Sequence, residues 1–259
     1  MTRELVLKYF EQNKGIFTSG EQLAEKIGVS RTAIWKAINT LREEGYDIEA
    51  APKKGYCLNE NSDILSLIKI KQNLKHEEVF SFQLYKTVDS TNKKAKRLAL
   101  EEGREWTVVA SERQEEGKGQ KKKVFSSPER KGIYISVLFT PQKVIKDLQV
   151  FSRLGASCMQ EAILKVTGVK TSFESPSIVY EGKKLGGILT EASLEVESHY
   201  VDSVIIGVGL NIYGQKSDFA HKEDDIHTSL SEITGKYCNR SELIAAWINA
   251  LYDKYESFF

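Results

Sequence analysis

The chain has 259 residues, with 37 Lys and Arg against 36 Asp and Glu and a formal net charge of +1. That length suits a full-sized domain plus a small one, and the balanced charge excludes a global attraction to nucleic acid or membranes, so any DNA binding must come from a local patch. Cys57, Cys158 and Cys238 lack metal-ligand spacing, and no run resembles a signal peptide or a membrane span, so we expect a soluble, cytoplasmic protein without a membrane partner.

Three helices are predicted in residues 1–60. Apolar residues over 5–10 recur at helical spacing, and Ser19 opens a second helix with Gln22 placed to complete a capping box. A glycine turn at 28–30 leads to a third helix over 31–44. This is a helix-turn-helix arrangement, in which the second helix of the pair enters the DNA major groove.

The third helix has a polar, cationic face that is suited to reading DNA. That face carries Arg31, Thr32, Trp35, Lys36 and Asn39. Residues 46–58 then alternate as two short strands around the basic turn Pro52-Lys53-Lys54-Gly55, a wing whose Lys53 and Lys54 can reach phosphates. Residues 1–60 are therefore predicted to be a winged helix-turn-helix that binds double-stranded DNA; a winged helix that binds protein is the alternative. Because the charges of this domain balance, we expect modest affinity per monomer and binding as a dimer.

Residues 61–259 are predicted to form a second domain, which makes the whole chain α+β. The predicted strands span 82–87, 106–110, 133–139, 178–181, 185–194 and 201–210, and the predicted helices span 64–74, 91–100, 148–166 and 241–258. Residues 61–63 serve as linker and helix cap, and Lys183 and Lys184 fall at a hairpin turn, where they are expected to be solvated. This order indicates a mixed sheet backed by helices, because it is not a regular alternation of strand and helix.

The loop that follows the second of these strands has an unusual composition. Gly117 and Gly119 are followed by three lysines at 121–123. With little to bury and like charges that repel, it is expected not to fold onto itself but to close over an anion. A long solvated loop is the alternative.

The chain resembles the biotin protein ligases, specifically the bifunctional class that also represses the biotin operon. The segments that carry the resemblance are Ser90-Thr91-Asn92, Val108-Val109-Ala110 with Gln114, the loop from Gly117 to Pro128, Gly132 to Ser136, Lys184 to Glu191, and Gly207 to Ile212. The resemblance spans essentially the full length. It implies a class II synthetase-like mixed-sheet ligase domain behind the winged helix. Since the sequence ends where the central domain of the family ends, no C-terminal β-barrel is expected.

In that family the loop binds biotin and its adenylate. The domain makes biotinyl-AMP from biotin and ATP and transfers biotin to a carrier-protein lysine, and the adenylate-bound form dimerises on the operator. The resemblance implies ligand-binding residues at Ser90, Thr91, Asn92, Gln114, Gly117, Lys118, Gly119, Gln120, Gly186 and Gly187, and a nucleotide side at Lys123, Gly207, Gly209 and Asn211. A simple helix cap at 90–92 and a simple strand end at 207–211 remain alternatives.

The departures from the family pattern fall on the residues that handle charge. The family loop reads Gly-Arg-Gly-Arg-x-Gly-Arg-x-Trp. Here Lys118 and Gln120 replace the first two arginines, Lys122 the third glycine, Lys123 the last arginine and Phe125 the tryptophan. The family block Lys-Trp-Pro-Asn-Asp is replaced by Phe173-Glu174-Ser175-Pro176-Ser177. The catalytic lysine position therefore holds Phe173, which is expected to make that part of the pocket apolar. Losing a preorganised cation slows such chemistry by about 10²- to 10³-fold.

The favoured hypothesis is a transcriptional repressor whose ligase domain senses a ligand and dimerises, with ligase activity weak or lost and no catalytic residue assigned. The expected effector is biotin or a biotin-like molecule, and the substitutions argue against ATP and biotinyl-AMP. An operator and a second copy of the chain are the expected partners, with the biotin carboxyl carrier protein a partner only if ligase activity survives. An active bifunctional ligase–repressor is the second hypothesis, and a ligand-independent dimeric interaction module is the third. His76, His199, His221 and His227 lack metal-site or triad spacing, so no metal is expected.

Overall fold

The structure is a computed structural model that describes residues 1–60, 62–101, 105–141, 143–144, 147–194, 200–219 and 226–258, without the side chains at 122, 143, 194, 216, 256 and 258. The chain divides into two compact units, Met1–Ile64 and Leu65–Phe259. None of the helices in the described ranges is both long and apolar enough to cross a bilayer. His199 and His221 lie outside the described residues.

The first unit is a winged helix-turn-helix. Its elements are α1 (Thr2–Gln12), α2 (Gly20–Ile27), α3 (Arg31–Glu43), β1 (Ile48–Ala51) and β2 (Gly55–Leu58). The predicted capping box is present: the Ser19 hydroxyl accepts from the Gln22 N–H at 3.1 Å, and the Gln22 side chain accepts from the Ser19 N–H at 3.1 Å. Ile34, Ile38 and Leu41 of α3 are buried as predicted, but Leu5 of α1 is exposed while Leu7 is buried.

The second unit is built on an eight-stranded sheet. Its elements are α4 (Leu67–Gln72), β3 (Ser81–Val88), α5 (Thr91–Glu101), β4 (Thr107–Gln114), β5 (Gly132–Phe139), β6 (Lys143–Val144), α6 (Gln149–Thr167), β7 (Ser172–Glu174), β8 (Ser177–Tyr180), β9 (Lys183–Leu194), β10 (Tyr200–Asn211), α7 (Lys216–Phe219), α8 (Leu230–Thr234) and α9 (Arg240–Phe258). The strand order is β3-β4-β5-β10-β9-β8-β7, with β6 also pairing with β10. The β3–β4 pair is parallel and the others are antiparallel. The predicted mixed sheet and α+β class are confirmed.

Some predicted boundaries are wrong. The helix predicted over 64–74 begins at Leu67, because Ser66 supplies the cap by accepting from the Lys69 N–H; residue 61 of the predicted linker lies outside the described residues. The strand predicted to end at residue 110 continues to Gln114. Strand β7 was not predicted, since three residues carry too little periodicity to recognise.

The sheet is packed on both faces. The main core lies against α6 and α9, where Trp247 donates its indole N–H to the carbonyl of Gly155 at 3.1 Å. On the other face, α5 packs against a smaller cluster formed by Val109, Leu138 and Ile205. Successive residues of a strand face opposite sides of the sheet. The strand residues that lie two positions from this smaller cluster therefore face α5 as well and are available to form a site beside it.

Candidate ligand cavity and nucleic-acid interface

A cavity of about 790 Å³ opens in the second unit beside the first turn of α5. Of the residues predicted for the ligand and nucleotide sides, it is lined by Ser90, Thr91, Asn92, Gln114, Lys118, Gly119, Gln120, Lys123, Gly187, Gly207, Gly209 and Asn211. The other two lie just behind the wall: a β-carbon at Gly117 would lie 2.5 Å from the Phe125 carbonyl oxygen, and one at Gly186 would overlap the Gly209 carbonyl. The fold therefore brings together segments that are distant in sequence, while the roles of these residues toward a ligand stay a prediction.

The polar turn at the start of α5 is held by Gln114. The Gln114 side-chain oxygen accepts from the Thr91 N–H at 2.9 Å and lies 3.1 Å from the Thr91 hydroxyl. The Gln114 amide nitrogen donates to the Ser127 hydroxyl at 2.9 Å. The turn is thus both a helix start and part of the cavity wall, and Gln114 ties it to the far end of the basic loop.

A second set of polar groups surrounds the buried Asn92 side chain. The Ser136 hydroxyl donates to the Asn92 side-chain oxygen at 2.6 Å, and the Asn92 nitrogen donates to the Glu191 carboxylate at 2.8 Å. A β-carbon at Gly207 would overlap the Asn92 side-chain oxygen. Gly207 therefore makes room for Asn92, a structural reason for a residue that the resemblance assigns to the nucleotide side.

Asp89 and Arg97 form an ion pair outside the cavity, at the turn that begins α5. Arg97 donates two hydrogen bonds to the Asp89 carboxylate, at 2.9 and 3.0 Å, and these lower the pKa of Asp89 to about 2. The Asp89 carbonyl accepts from the Glu116 N–H at 2.8 Å. This backbone bond joins the turn before α5 to the start of the basic loop.

The basic loop folds onto itself, contrary to the prediction. The Gly119 N–H donates to the Lys123 carbonyl at 2.8 Å, and the Phe125 N–H donates to the Gly117 carbonyl at 2.9 Å. Backbone hydrogen bonds close the loop, and the side chains of Lys118, Lys121 and Lys123 stay exposed, so the repulsion between them is screened by solvent. The exposed cations still line the cavity, as a loop that binds an anion requires.

The ring of Phe125 lies next to two glycines of the cavity wall. A β-carbon at Gly209 would overlap its ring, and one at Gly187 would lie 4.0 Å from it. Lys184 lies on the ring, with its ammonium nitrogen 5.7 Å from the ring centroid. Strand β10 thus needs glycine at position 209 for the aromatic ring to enter the cavity, whereas a β-carbon at position 187 of β9 would make only an ordinary contact with the ring.

Lys184 is half-buried and lines the cavity, so the expectation that it is a solvated turn residue is wrong. The turn consists of Glu181 and Gly182 alone, both with positive φ, and β9 already begins at Lys183. Residues 226–228 run beside Lys184, whose N–H donates to the Ile226 carbonyl at 2.8 Å. No local sequence pattern could have shown this neighbour, because the two segments are some forty positions apart in the chain.

Asn211 and His227 belong to the same edge of the cavity. The Asn211 side chain donates to the Thr228 carbonyl at 3.0 Å and is buried, so it holds the 226–228 segment in place. His227, which carried no expected role, also lines the cavity.

The position of Phe173 differs from the expectation. Phe173 is half-buried and packs against the main core, whereas the block residues that line the cavity are Ser175, Pro176 and Ser177. The expectation that Phe173 makes part of the pocket apolar is therefore wrong. Among the described residues that line the cavity, four are lysines and none is Asp or Glu.

The predicted DNA-reading residues lie together on the first unit. A groove of about 700 Å³ runs between α3 and the wing and is lined by Arg31, Thr32, Trp35 and Lys53 among others. Lys36 and Lys54 are exposed, Asn39 is half-buried, and Trp35 keeps 55% of its surface exposed. An exposed tryptophan beside cationic side chains is the surface expected of a helix that enters a groove of DNA, where apolar groups meet thymine methyls and cations meet phosphates or guanine.

Comparisons with known proteins find matches for both units of the chain. Residues 2–57 match a family model described as an HTH domain, and residues 84–211 match one described as the biotin/lipoate A/B protein ligase family. The chain is 34% identical to the bifunctional ligase/repressor BirA of Bacillus subtilis (strain 168) over 258 residues, which cover 99% of this chain and 79% of that protein. The solved biotin protein ligase from Aquifex aeolicus in complex with biotin and ATP is 27% identical, with a TM-score of 0.58 over 69% of this chain and 71% of the other. The Leishmania major ligase in complex with biotinyl-5-AMP, 22% identical with a TM-score of 0.57 over 68% of this chain and 75% of its own, shares the fold.

Proposed function

The chain belongs to the family of bifunctional ligase/repressors, and from that premise we propose that it is a DNA-binding repressor whose second unit senses a biotin-like effector and dimerises, with ligase activity weak or lost. One observation carries the proposal. Where the family places Lys-Trp-Pro-Asn-Asp, this cavity is walled by Ser175, Pro176 and Ser177, while Phe173 packs into the core. The first unit keeps the exposed polar and cationic face that is predicted to read DNA.

The experiment that tests the proposal pairs DNA binding with effector binding. Selection from a random DNA pool identifies the operator, and its affinity is then measured with and without biotin and biotinyl-AMP. We expect sequence-specific binding that at least one of the two molecules strengthens. Specific binding with no response to either would favour a ligand-independent interaction module instead.

An active bifunctional ligase–repressor is the second candidate. It is favoured by the retained polar turn and by the four lysines that line the cavity, which keep the site attractive to an adenylate. The two candidates differ in one measurable quantity, the rate at which a carrier protein is labelled.

The first prediction concerns DNA contacts. Arg31→Ala and Lys36→Ala should each weaken operator binding by about 1–3 kcal/mol where a base contact is lost, and should relax sequence preference. Lys53→Ala in the wing should weaken binding to all sequences alike and reduce the slope of affinity against salt. Lys8→Ala, which removes an exposed cation of α1, is the matched control and should change neither. Equal operator affinity of the wild type and the Arg31/Lys36 double variant would exclude α3 as the reading helix.

The second prediction concerns assembly. We expect the protein to bind a two-fold symmetric operator as a dimer, because one domain with balanced charge makes too few phosphate contacts for tight binding. Sedimentation of the complex at saturating DNA should give two chains per operator. One chain on one half-site would contradict the prediction.

A further inference from the structure

We propose that Trp35 of α3 reads the C5-methyl group of a thymine in the major groove of the operator, and so determines part of the sequence that this protein recognises. The inference rests on the proposed function, because it takes the first unit to bind double-stranded DNA. A helix-turn-helix arrangement places its second helix in the major groove, but it does not say which base each side chain of that helix reads.

The exposure of Trp35 is the first support. Trp247 is fully buried and donates its indole N–H to the Gly155 carbonyl, and Trp106 is buried and stacks on Phe139 with the ring centroids 5.2 Å apart. Trp35 instead keeps 55% of its surface exposed. An isolated exposed apolar side chain is common, so its neighbours decide whether it has a use.

The packing of the first unit does not require a tryptophan at this position. The core-facing side of α3 is formed by Ile34, Ala37, Ile38 and Leu41, which are all buried. Trp35 follows the first of these by one residue and lies outside that buried set. Its large ring therefore contributes little to the core and is available to a partner.

The neighbours of Trp35 on α3 are the second support. Arg31 and Asn39 lie four positions before and after it, so the three side chains share one side of the helix. Arg31 and Trp35 both line the groove between α3 and the wing. Arginine and asparagine are the side chains that pair with guanine and adenine in the major groove, so Trp35 lies between two polar side chains suited to reading bases.

The chemistry of the base edges selects thymine. The C5-methyl group of thymine is the apolar group that the four bases present in the major groove, and thymine also presents the O4 acceptor there. Indole has a large apolar ring and one N–H donor, with no acceptor. Guanine offers acceptors without an apolar group, and cytosine offers an amino donor that the indole N–H cannot pair with. Thymine alone matches both parts of the ring.

The spacing on α3 predicts where this thymine lies. A helix rises about 1.5 Å per residue, so Trp35 is about 6 Å along α3 from Arg31. Successive base pairs are about 3.4 Å apart. The thymine should therefore lie within about two base pairs of the position at which Arg31→Ala relaxes sequence preference.

The test removes the methyl group from the DNA and the indole from the protein. In the operator obtained by selection, each thymine is replaced one at a time by deoxyuridine, which lacks only the C5-methyl group. Fluorescence anisotropy then gives the affinity of the full-length protein for each duplex, at one salt concentration and with the effector that gave the strongest binding. We expect one replacement near the Arg31 position to weaken wild-type binding about fourfold, which is the effect of exposing one methyl group.

Trp35→Ala should bind the thymine operator about tenfold more weakly and should no longer distinguish thymine from deoxyuridine at that position. Trp35→Phe keeps an apolar ring and should keep the distinction. Leu5→Ala, which shortens an exposed apolar side chain of α1, is the matched control and should behave as the wild type does. Thermal unfolding of each variant checks that the fold is retained.

Two results would overturn the assignment alone. One is a wild type that tolerates every deoxyuridine, and the other is a Trp35→Ala variant that keeps the operator affinity of the wild type, which would leave Trp35 to a protein partner. Both leave the repressor intact. If the wild type selects no sequence from the random pool, the proposed function fails and the assignment fails with it.

Discussion

Incubated with biotin, ATP and an apo carrier domain, this protein should label the carrier about 10²- to 10³-fold more slowly than a ligase that keeps Lys-Trp-Pro-Asn-Asp. A preorganised cation acts where charge develops in the transition state, and removing it raises the barrier by several kcal/mol. Position 173 holds a phenylalanine packed on the core, and residues 175–177 place only small polar groups and a proline in the wall.

Restoring the block tests the cause of the slow labelling. The variant with Phe173→Lys, Glu174→Trp, Ser175→Pro, Pro176→Asn and Ser177→Asp should gain at least about tenfold in labelling rate, because it returns both the cation and its supporting groups. Phe173→Lys alone should gain nothing, since it directs an ammonium group toward apolar neighbours and costs stability. Retained operator binding shows that each variant still folds in its first unit.

One result would favour an active bifunctional ligase–repressor over a repressor with weak or lost ligase activity. Carrier labelling by the wild type at the rate of a ligase that keeps the block would show that the substituted wall still supports adenylation and transfer. The repressor assignment would survive that result, because it depends on the first unit.

Local rules predicted most of the elements but not the contacts between distant ones. The capping box of Ser19 and the mixed sheet follow from cap residues and periodicity that act over a few positions. The closed form of the basic loop did not follow, because charge composition says nothing about backbone hydrogen bonds such as that from Gly119 to Lys123. Matching family motifs found most of the cavity wall. Lys184 lies in one of these motifs but was predicted to be solvated, and His227 lies in a segment that no motif covered, although the two residues are paired in the fold.

Phe173 shows a different kind of failure. Aligning it with the catalytic lysine of the family identified the loss of charge, but an alignment does not say where the new side chain points. An apolar side chain has a lower free energy against the core than in a cavity open to water, which agrees with the packing of Phe173 against the main core.

The buried pair of Arg240 and Glu112 should produce the largest effect on stability. Arg240, the first residue of α9, has no exposed surface and donates to the Glu112 carboxylate at 2.7 Å and to the Gly132 carbonyl at 3.0 Å. The other Glu112 oxygen accepts from the Leu65 N–H at 2.6 Å. The Glu112 carboxylate, which belongs to β4, therefore links the start of the second unit to α9. Arg240 links α9 to β5 as well, through its hydrogen bond to Gly132.

Glu112→Gln should lower the free energy of unfolding of the second unit by about 3–5 kcal/mol, because it removes the carboxylate that is paired with a buried guanidinium. The double variant Glu112→Gln/Arg240→Met should recover much of that loss, since it removes the buried positive charge together with its partner. Asp147→Asn is the matched control: it breaks the exposed pair with Arg153, 2.6 Å apart, and should cost no more than about 1 kcal/mol.

Urea unfolding followed by tryptophan fluorescence measures these losses. In a Trp35→Phe background, Trp106 and Trp247 are the remaining tryptophans and both lie in the second unit, so the signal reports on that unit alone. A loss below about 1 kcal/mol for Glu112→Gln would mean that the pair contributes no more than a surface one, and that packing of α9 around Trp247 alone holds these elements together.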